Sequence, residues 1–286
     1  MHSVSRKQDF FDVIQDGKPR IIHFGTSHQY ALKTVKGKNY FAQFSIPFAQ
    51  TIYPIFYKET GLELKRSKYM GLWLPIDDKR VYRAVGEFIT KYNNTVFIRD
   101  SLNLSCAIDK NMKSPDPLPT GERNYTKIGR LEYKAKYLES TSALEELVYI
   151  VDDFIRRTPI YNDADVIIAV PSSNVDTISL TQSIVNRLAT LQSPYNTTDA
   201  IKWCKNKPPL KTVSVQEKWD LLEQTELCVR GDSLIGKRVI LLDDMYQSGT
   251  TLNYIGRQIL QAGARAVYGL TLVKSLSNTD NIHEGS

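Results

Sequence analysis

Cysteine is scarce: three residues in 286, at positions 106, 204 and 228. No CxxC pair occurs, so spacing supports neither a disulfide framework nor a zinc ribbon. Histidine is nearly as scarce, at four residues. His2, His23, His28 and His283 do not cluster as metal ligands do. No run approaches the roughly 20 apolar residues of a membrane-spanning helix, so no membrane partner is expected. The first residues, MHSVSRKQDFFDVIQDG, lack the apolar core of a secretion signal. Odd, scattered cysteines and no export signal together predict a reduced, cytoplasmic protein. No block of five like charges and no internal repeat is present.

What is present is globular composition: 42% hydrophobic and 24% charged residues. The length suggests two domains, with one large α/β domain as the alternative. Charge divides the chain unevenly. Residues 1–140 carry 23 Lys and Arg against 14 Asp and Glu, and residues 141–286 carry 14 against 17. A basic half attracts polyanions, though it also serves as an ordinary solvated surface. The three prolines and one glycine of KNMKSPDPLPTGERN, residues 110–124, mark the best linker. The expected units are therefore 1–120 and 121–286.

The first unit reads as mixed α/β. Residues 20–24, 30–35, 40–46 and 96–99 have strand character, and 77–92 forms an amphipathic helix opened by two aspartates. Its aromatics, Tyr40, Phe41, Phe44, Phe48, Tyr53, Phe56 and Tyr57, interleave with Lys33, Lys36, Lys38, Lys65, Arg66 and Lys68. Such a mixture suits single-stranded nucleic acid. It suits the buried face of a strand better, and a hood over an acceptor is a third use.

The second unit is more regular. A capping box at Ser142 and Glu145 opens a helix whose apolar residues include Leu144, Leu147, Val148, Val151 and Ile155. Residues 165–170 (DVIIAV) and 237–242 (KRVILL) are short apolar runs of the kind buried on both faces of a parallel sheet. Helices follow at 178–191 and 250–262, then a strand at 267–273. Residues 192–236 are long, polar and weakly patterned. Strand, helix, strand, helix, strand implies parallel pairing, with ligands at the carboxyl ends of the strands.

The run VILLDDMYQSGTT, residues 239–251, carries the chemistry. An apolar strand delivers Asp243 and Asp244 to the sheet edge. Gln247, Ser248, Gly249, Thr250 and Thr251 then open a helix where backbone N–H groups are unpaired. Glycine permits close approach and the hydroxyls add donors, which makes an anion cradle suited to phosphate. The two acids suit sugar hydroxyls or hydrated Mg²⁺. A phosphorylated sugar with free hydroxyls is the ligand implied.

This run resembles the phosphoribosyl pyrophosphate (PRPP) motif of type I phosphoribosyltransferases. LEYKAKY at 131–137, Val170-Pro171, KRVILLDD at 237–244 and GARAV at 263–267 resemble segments of the ComF-like (competence protein F-like) branch. The resemblance spans about residues 127–275. It implies a Rossmann-like parallel sheet of the type I phosphoribosyltransferase kind beside the mixed α/β N-terminal region. It further implies Mg²⁺ as cofactor, with Asp243 and Asp244 holding ribose hydroxyls directly or through the metal. Residues 247–251 would hold the 5′-phosphate, and Pro171, Ser172, Ser173 and Asn174 would form the pyrophosphate loop. The implied reaction transfers phosphoribose to or from a base, nucleotide or macromolecule.

Three departures stand out. Gln247 replaces a small hydroxyl residue, the stretch PSSNVDTISLTQ contains no Arg or Lys, and no cysteine precedes Cys106. The missing cation would come from residues 192–236, where the family places a closing loop, with Lys211 and Lys218 as candidates. Trp203 and Trp219 there read as anchors rather than base-stacking platforms. Without that cation, a non-catalytic PRPP or nucleotide sensor fits, acting with nucleic acid through residues 1–120 in DNA uptake, regulation or phage defence. The sequence leaves a homodimer open.

Overall fold

The computed structural model describes residues 7–25, 31–68, 71–191, 196–197, 200–208, 210 and 213–276. Helix α1 (Lys7–Gln15) precedes a short strand, β1 (Ile21–Ile22). Strands β2 (Ala31–Thr34), β3 (Ala42–Ile46), β4 (Lys65–Arg66) and β5 (Leu72–Ile76) form an antiparallel sheet in the order β2-β3-β5-β4. Helix α2 (Ile52–Thr60) lies between β3 and β4. Helix α3 (Lys79–Lys91), capped by Asp78 on the Arg80 N–H, leads to β6 (Val96–Ile98) and β7 (Leu104–Lys110). Next come α4 (Lys127–Tyr137), α5 (Thr141–Arg157), β8 (Val166–Ala169), α6 (Leu180–Thr190) and β9 (Asn196–Thr197). The chain continues through β10 (Ile201–Trp203), α7 (Val215–Thr225), β11 (Leu227–Val229), β12 (Arg238–Tyr246), α8 (Thr250–Gln261) and β13 (Ala266–Lys274).

The main sheet has seven strands in the order β1-β6-β7-β13-β12-β8-β9. Strands β7, β13, β12, β8 and β9 run parallel, and β6 pairs antiparallel with β7 and β1. The architecture is thus α/β and Rossmann-like. Alternation along the strands feeds two cores. Ile240 and Leu242 face the side where α4, α5 and α6 pack, whereas Val239 and Leu241 face α1, α7 and α8.

A boundary at residue 120 does not divide this sheet. Strands β1, β6 and β7 from the first 110 residues complete the sheet begun by the later strands. Strand β7 was not legible, because Ser105 and Asp109 break its apolar run; yet six of its seven residues are buried. Most first-half aromatics go inward. Phe44, Phe48 and Phe56 are buried, with Phe44 and Phe56 stacked at 5.0 Å. Of the seven aromatics named above, Phe41 and Tyr57 stay exposed and Tyr40 and Tyr53 are half-buried, which reduces the stacking surface that nucleic acid would use on residues 1–120.

Three expectations need correction: the cap of α5, the weakly patterned stretch 192–236 and the reduced state of the cysteines. The cap of α5 is Ser140, accepting from the Ala143 N–H, two residues before the expected box at Ser142 and Glu145. The complete capping box is at Ser214 and Glu217, opening α7. That helix lies in the stretch 192–236 that looked like loop. Strands β10 and β11 pair there, and antiparallel pairing brings Cys204 and Cys228 to a Cα separation of 5.8 Å, where they form a disulfide. Their 24-residue separation hid the pairing from sequence. Trp203 and Trp219 are buried against Tyr254 of α8, as anchors.

Candidate functional site

The site forms where the sheet reverses direction of growth. From β8 the chain passes through α6 to β9 on one side. From β12 it passes through α8 to β13 on the other. The two helices pack on opposite faces, so a crevice opens beyond the carboxyl ends of β8 and β12, the usual ligand position in open α/β sheets. Strand β8 pairs with β12 only as far as Leu242, whereas β13 pairs onward to Tyr246. Asp243 and Asp244 therefore begin where β12 loses its β8 partner. Residues 171–174 leave β8 at the same end.

Asp243 accepts the Asp244 N–H at 2.9 Å. Burial of its carboxyl, then the charge of Asp244, raises its pKa above the ordinary carboxylate range, against Lys207. Asp244 is bound by Lys136 from α4. Lys136 also lies 3.7 Å from Glu132, one helical turn away. Burial disfavours the Lys136 ammonium, but Asp244 and Glu132 outweigh it and its pKa rises. Glu132 is buried, its Oε1 makes no hydrogen bond, and burial pushes its pKa up to about 7. Helix α4 reaches this close because residue 129 is glycine. A Cβ there would stand 1.9 Å from the Asn111 carbonyl oxygen.

After Tyr246 the chain turns through Gln247, Ser248 and Gly249 into α8. Gly249 has φ 84° and caps the helix without a side chain, leaving the first N–H groups of α8 open to a ligand. The loop rests on Tyr246, whose hydroxyl donates to Asp100 at 3.1 Å and accepts from Arg20 at 3.2 Å. Arg20 also donates to the Ser248 carbonyl at 3.4 Å, and Asn253 donates to Asp100 and to the Gly249 carbonyl. Ser248 and Thr250 share a hydroxyl hydrogen bond of 2.8 Å. A pocket of about 120 Å³ results, lined by Asp243, Gln247, Ser248, Gly249, Thr250 and Thr251, with Lys218 and Leu210 in its wall.

Of the two lysines expected to supply a cation, Lys218 of α7 is buried at this pocket, and Lys211 lies outside the described residues. Besides Lys136, a further lysine faces the acids, Lys207. Its pKa is lowered by burial, against the charges of Asp243 and Asp244. Its ammonium lies 5.8 Å from the Trp203 ring. Its backbone N–H donates to Ser173 at 2.8 Å, and Trp203 donates to the Pro171 carbonyl, so this segment is tied to residues 171–174. Sequence reasoning passed over Lys207 because it lies among several lysines; the signal was its place just beyond Trp203, an anchor. In the loop, Ser172 shares a hydrogen bond with Thr177 and accepts from the Asn174 N–H, while Ser173 and Asn174 are exposed.

Among the described residues no three His, Cys, Asp or Glu side chains converge on one point. Mg²⁺ does not require such a cage, since one or two carboxylates with substrate oxygens and water suffice. Asp243 and Asp244, adjacent at a strand end with Asp243 raised by burial and then by its neighbour's charge, fit that role.

No protein-family model matches this chain. No curated protein matches it either. Similar solved structures include a purine phosphoribosyltransferase from Pyrococcus horikoshii, at 18% identity and TM-score 0.31, covering 47% of this chain and 75% of the other. An adenine phosphoribosyltransferase from Thermoanaerobacter pseudethanolicus shares 16% identity at TM-score 0.32, covering 48% and 83%. One from Leishmania donovani shares 14% at TM-score 0.30, covering 61% and 77%. Likenesses this slight carry no argument; the site's own residues must.

Among the described residues no helix is long and apolar enough to cross a membrane.

Proposed function

We propose that this chain binds PRPP with Mg²⁺ and transfers phosphoribose between PRPP and an acceptor. The observation behind this is the meeting, at one crevice, of a glycine-opened helix N-terminus, two adjacent carboxylates and a lysine tied to the loop after β8. The ComF-like branch remains a resemblance of residues 127–275.

In this scheme the 5′-phosphate accepts from the N–H groups and hydroxyls of residues 248–251, with Lys218 adding charge. Asp243 and Asp244 hold the ribose hydroxyls or the metal. Mg²⁺, when bound, offsets the charge of the pyrophosphate oxygens. Residues 171–174 and Lys207 face the leaving group. An acceptor lone pair forms the new bond to C1 as the C1–oxygen bond breaks, and pyrophosphate departs with the electron pair. Lys207 stabilises that developing charge, and the two loops hold the reactants in line. A lysine tethered there removes the main reason for preferring a non-catalytic sensor.

Thermal melting with and without PRPP and Mg²⁺ tests the proposal. At a ligand concentration about a hundredfold above Kd, binding adds about 2.7 kcal/mol. The wild type should gain several degrees, and the Asp243→Asn, Asp244→Asn double variant should gain none. A folded wild type that shows no shift, or a variant that shifts equally, refutes the assignment.

A further inference from the structure

Helix α4 presents a second face beside the one that reaches Asp244. Arg130, Tyr133, Lys134 and Tyr137 follow the spacing i, i+3, i+4, i+7, which in a helix of this fold normally marks an apolar stripe turned to the core. Here all four are exposed, and Tyr137 keeps 58% of its surface. The rings of Tyr125, Tyr133 and Tyr137 form a ladder, with centroids 5.5 and 5.3 Å apart. These side chains and Arg123 line an open cleft of about 720 Å³, against about 120 Å³ for the phosphate pocket. Glu122 and Glu132 also line it, yet Arg123, Arg130 and Lys134 form no ion pair among the described residues. Met245, which follows the acid pair, lines both cavities.

We infer that this cleft binds single-stranded nucleic acid. Stacked, exposed tyrosines offer faces and edges to unpaired bases, and flanking cations track a phosphate chain. A free base would leave three cations without phosphates, and an acidic peptide would leave the ring ladder unused. The cleft runs to Met245 and Glu132, so a bound strand ends beside Asp243 and Asp244. Naming that strand the acceptor rests on the proposed transferase reading; strand binding does not.

The test is fluorescence anisotropy of the full chain with an end-labelled oligothymidylate of about 12 nucleotides, with a blunt duplex of equal length as control. The wild type should prefer the single strand. Tyr133→Ala with Tyr137→Ala should weaken it by at least about tenfold, through the loss of base stacking on two rings. Tyr133→Phe with Tyr137→Phe, which keeps the rings, should bind as the wild type does. Arg130→Gln with Lys134→Gln should flatten the salt dependence by about 1.4 in log–log slope. Absence of binding at low salt, equal affinity for duplex, or indifference to the alanine changes overturns the inference. The PRPP melt separates the two proposals. The alanine variant should keep the PRPP shift, and Asp243→Asn with Asp244→Asn should keep strand binding.

Discussion

Replacing Gly249 with alanine tests whether the phosphate loop is built as described. Two costs can be worked out. At φ 84° an L side chain is strained, at about 1–3 kcal/mol. The added Cβ would also lie 2.2 Å from the Tyr246 hydroxyl oxygen and 2.3 Å from the adjoining ring carbon. Tyr246 is buried and fixed by Asp100 and Arg20, so it cannot simply swing aside. Relief must come from moving the loop or the ring, an overpacking cost of about 1–3 kcal/mol. The total is about 2–6 kcal/mol, or on the order of 10 °C in Tm for a chain of this size. The PRPP-dependent shift should vanish as well, because the displaced loop no longer aims its N–H groups. The decisive assay is a double-mutant cycle with Tyr246→Leu, which removes the ring. Gly249→Ala should cost less in that background, by about the overpacking share. If it costs the same in both, the contact with Tyr246 is not what excludes a side chain. If it is harmless in the wild type, the loop does not have the described backbone.

Three further outcomes are expected. Burial, then the charge of Lys110, pushes the His23 pKa down to about 4, against a backbone hydrogen bond with Asn94. The unfolded chain therefore binds the extra proton first. Stability should be full above about pH 6.5 and fall by about 3 kcal/mol as pH drops towards 4; denaturant midpoints should show it, and His23→Gln should flatten the profile. Lys207→Met should leave most of the PRPP melting shift but cut turnover by about 10²–10³, as loss of an oriented charge at a leaving group does; unchanged turnover would remove Lys207 from the mechanism. Reduction of the Cys204–Cys228 bond, or Cys204→Ser with Cys228→Ser, should lower stability by about 3.5 kcal/mol, the chain-entropy value for a 24-residue separation. A melt unchanged by reductant would contradict it.

The site was legible where chemistry is local. Residues 239–251 could be read because a strand, two acids and a helix start lie within thirteen consecutive positions. The strand proved longer than its apolar run, since pairing with β13 carries it through the acids to Tyr246. Contributions from a distance were not legible. Lys136 and Glu132 are more than a hundred residues from Asp244, and Arg20 supports the phosphate loop from 228 residues away. The segment 192–236 misled because its apolar residues are few, though Trp203, Trp219 and Leu222 anchor it in the core. Strand β7 was missed for a related reason: a strand buried on both faces tolerates Ser105 where Gly269 leaves room beside it.

The placement of β7 also bears on how the chain is made. Synthesis delivers β1, β6 and β7 long before β13, the strand that must lie beside β7. Until β13 leaves the ribosome, the flank of β7 stands open, and an open flank invites pairing with a neighbouring chain. Severing the polypeptide near residue 120 would strand each fragment with half an interface, β7 on one piece and β13 on the other. Arg20 arrives with those early strands and supports a loop that follows β12, so the phosphate loop joins the same early and late parts of the chain.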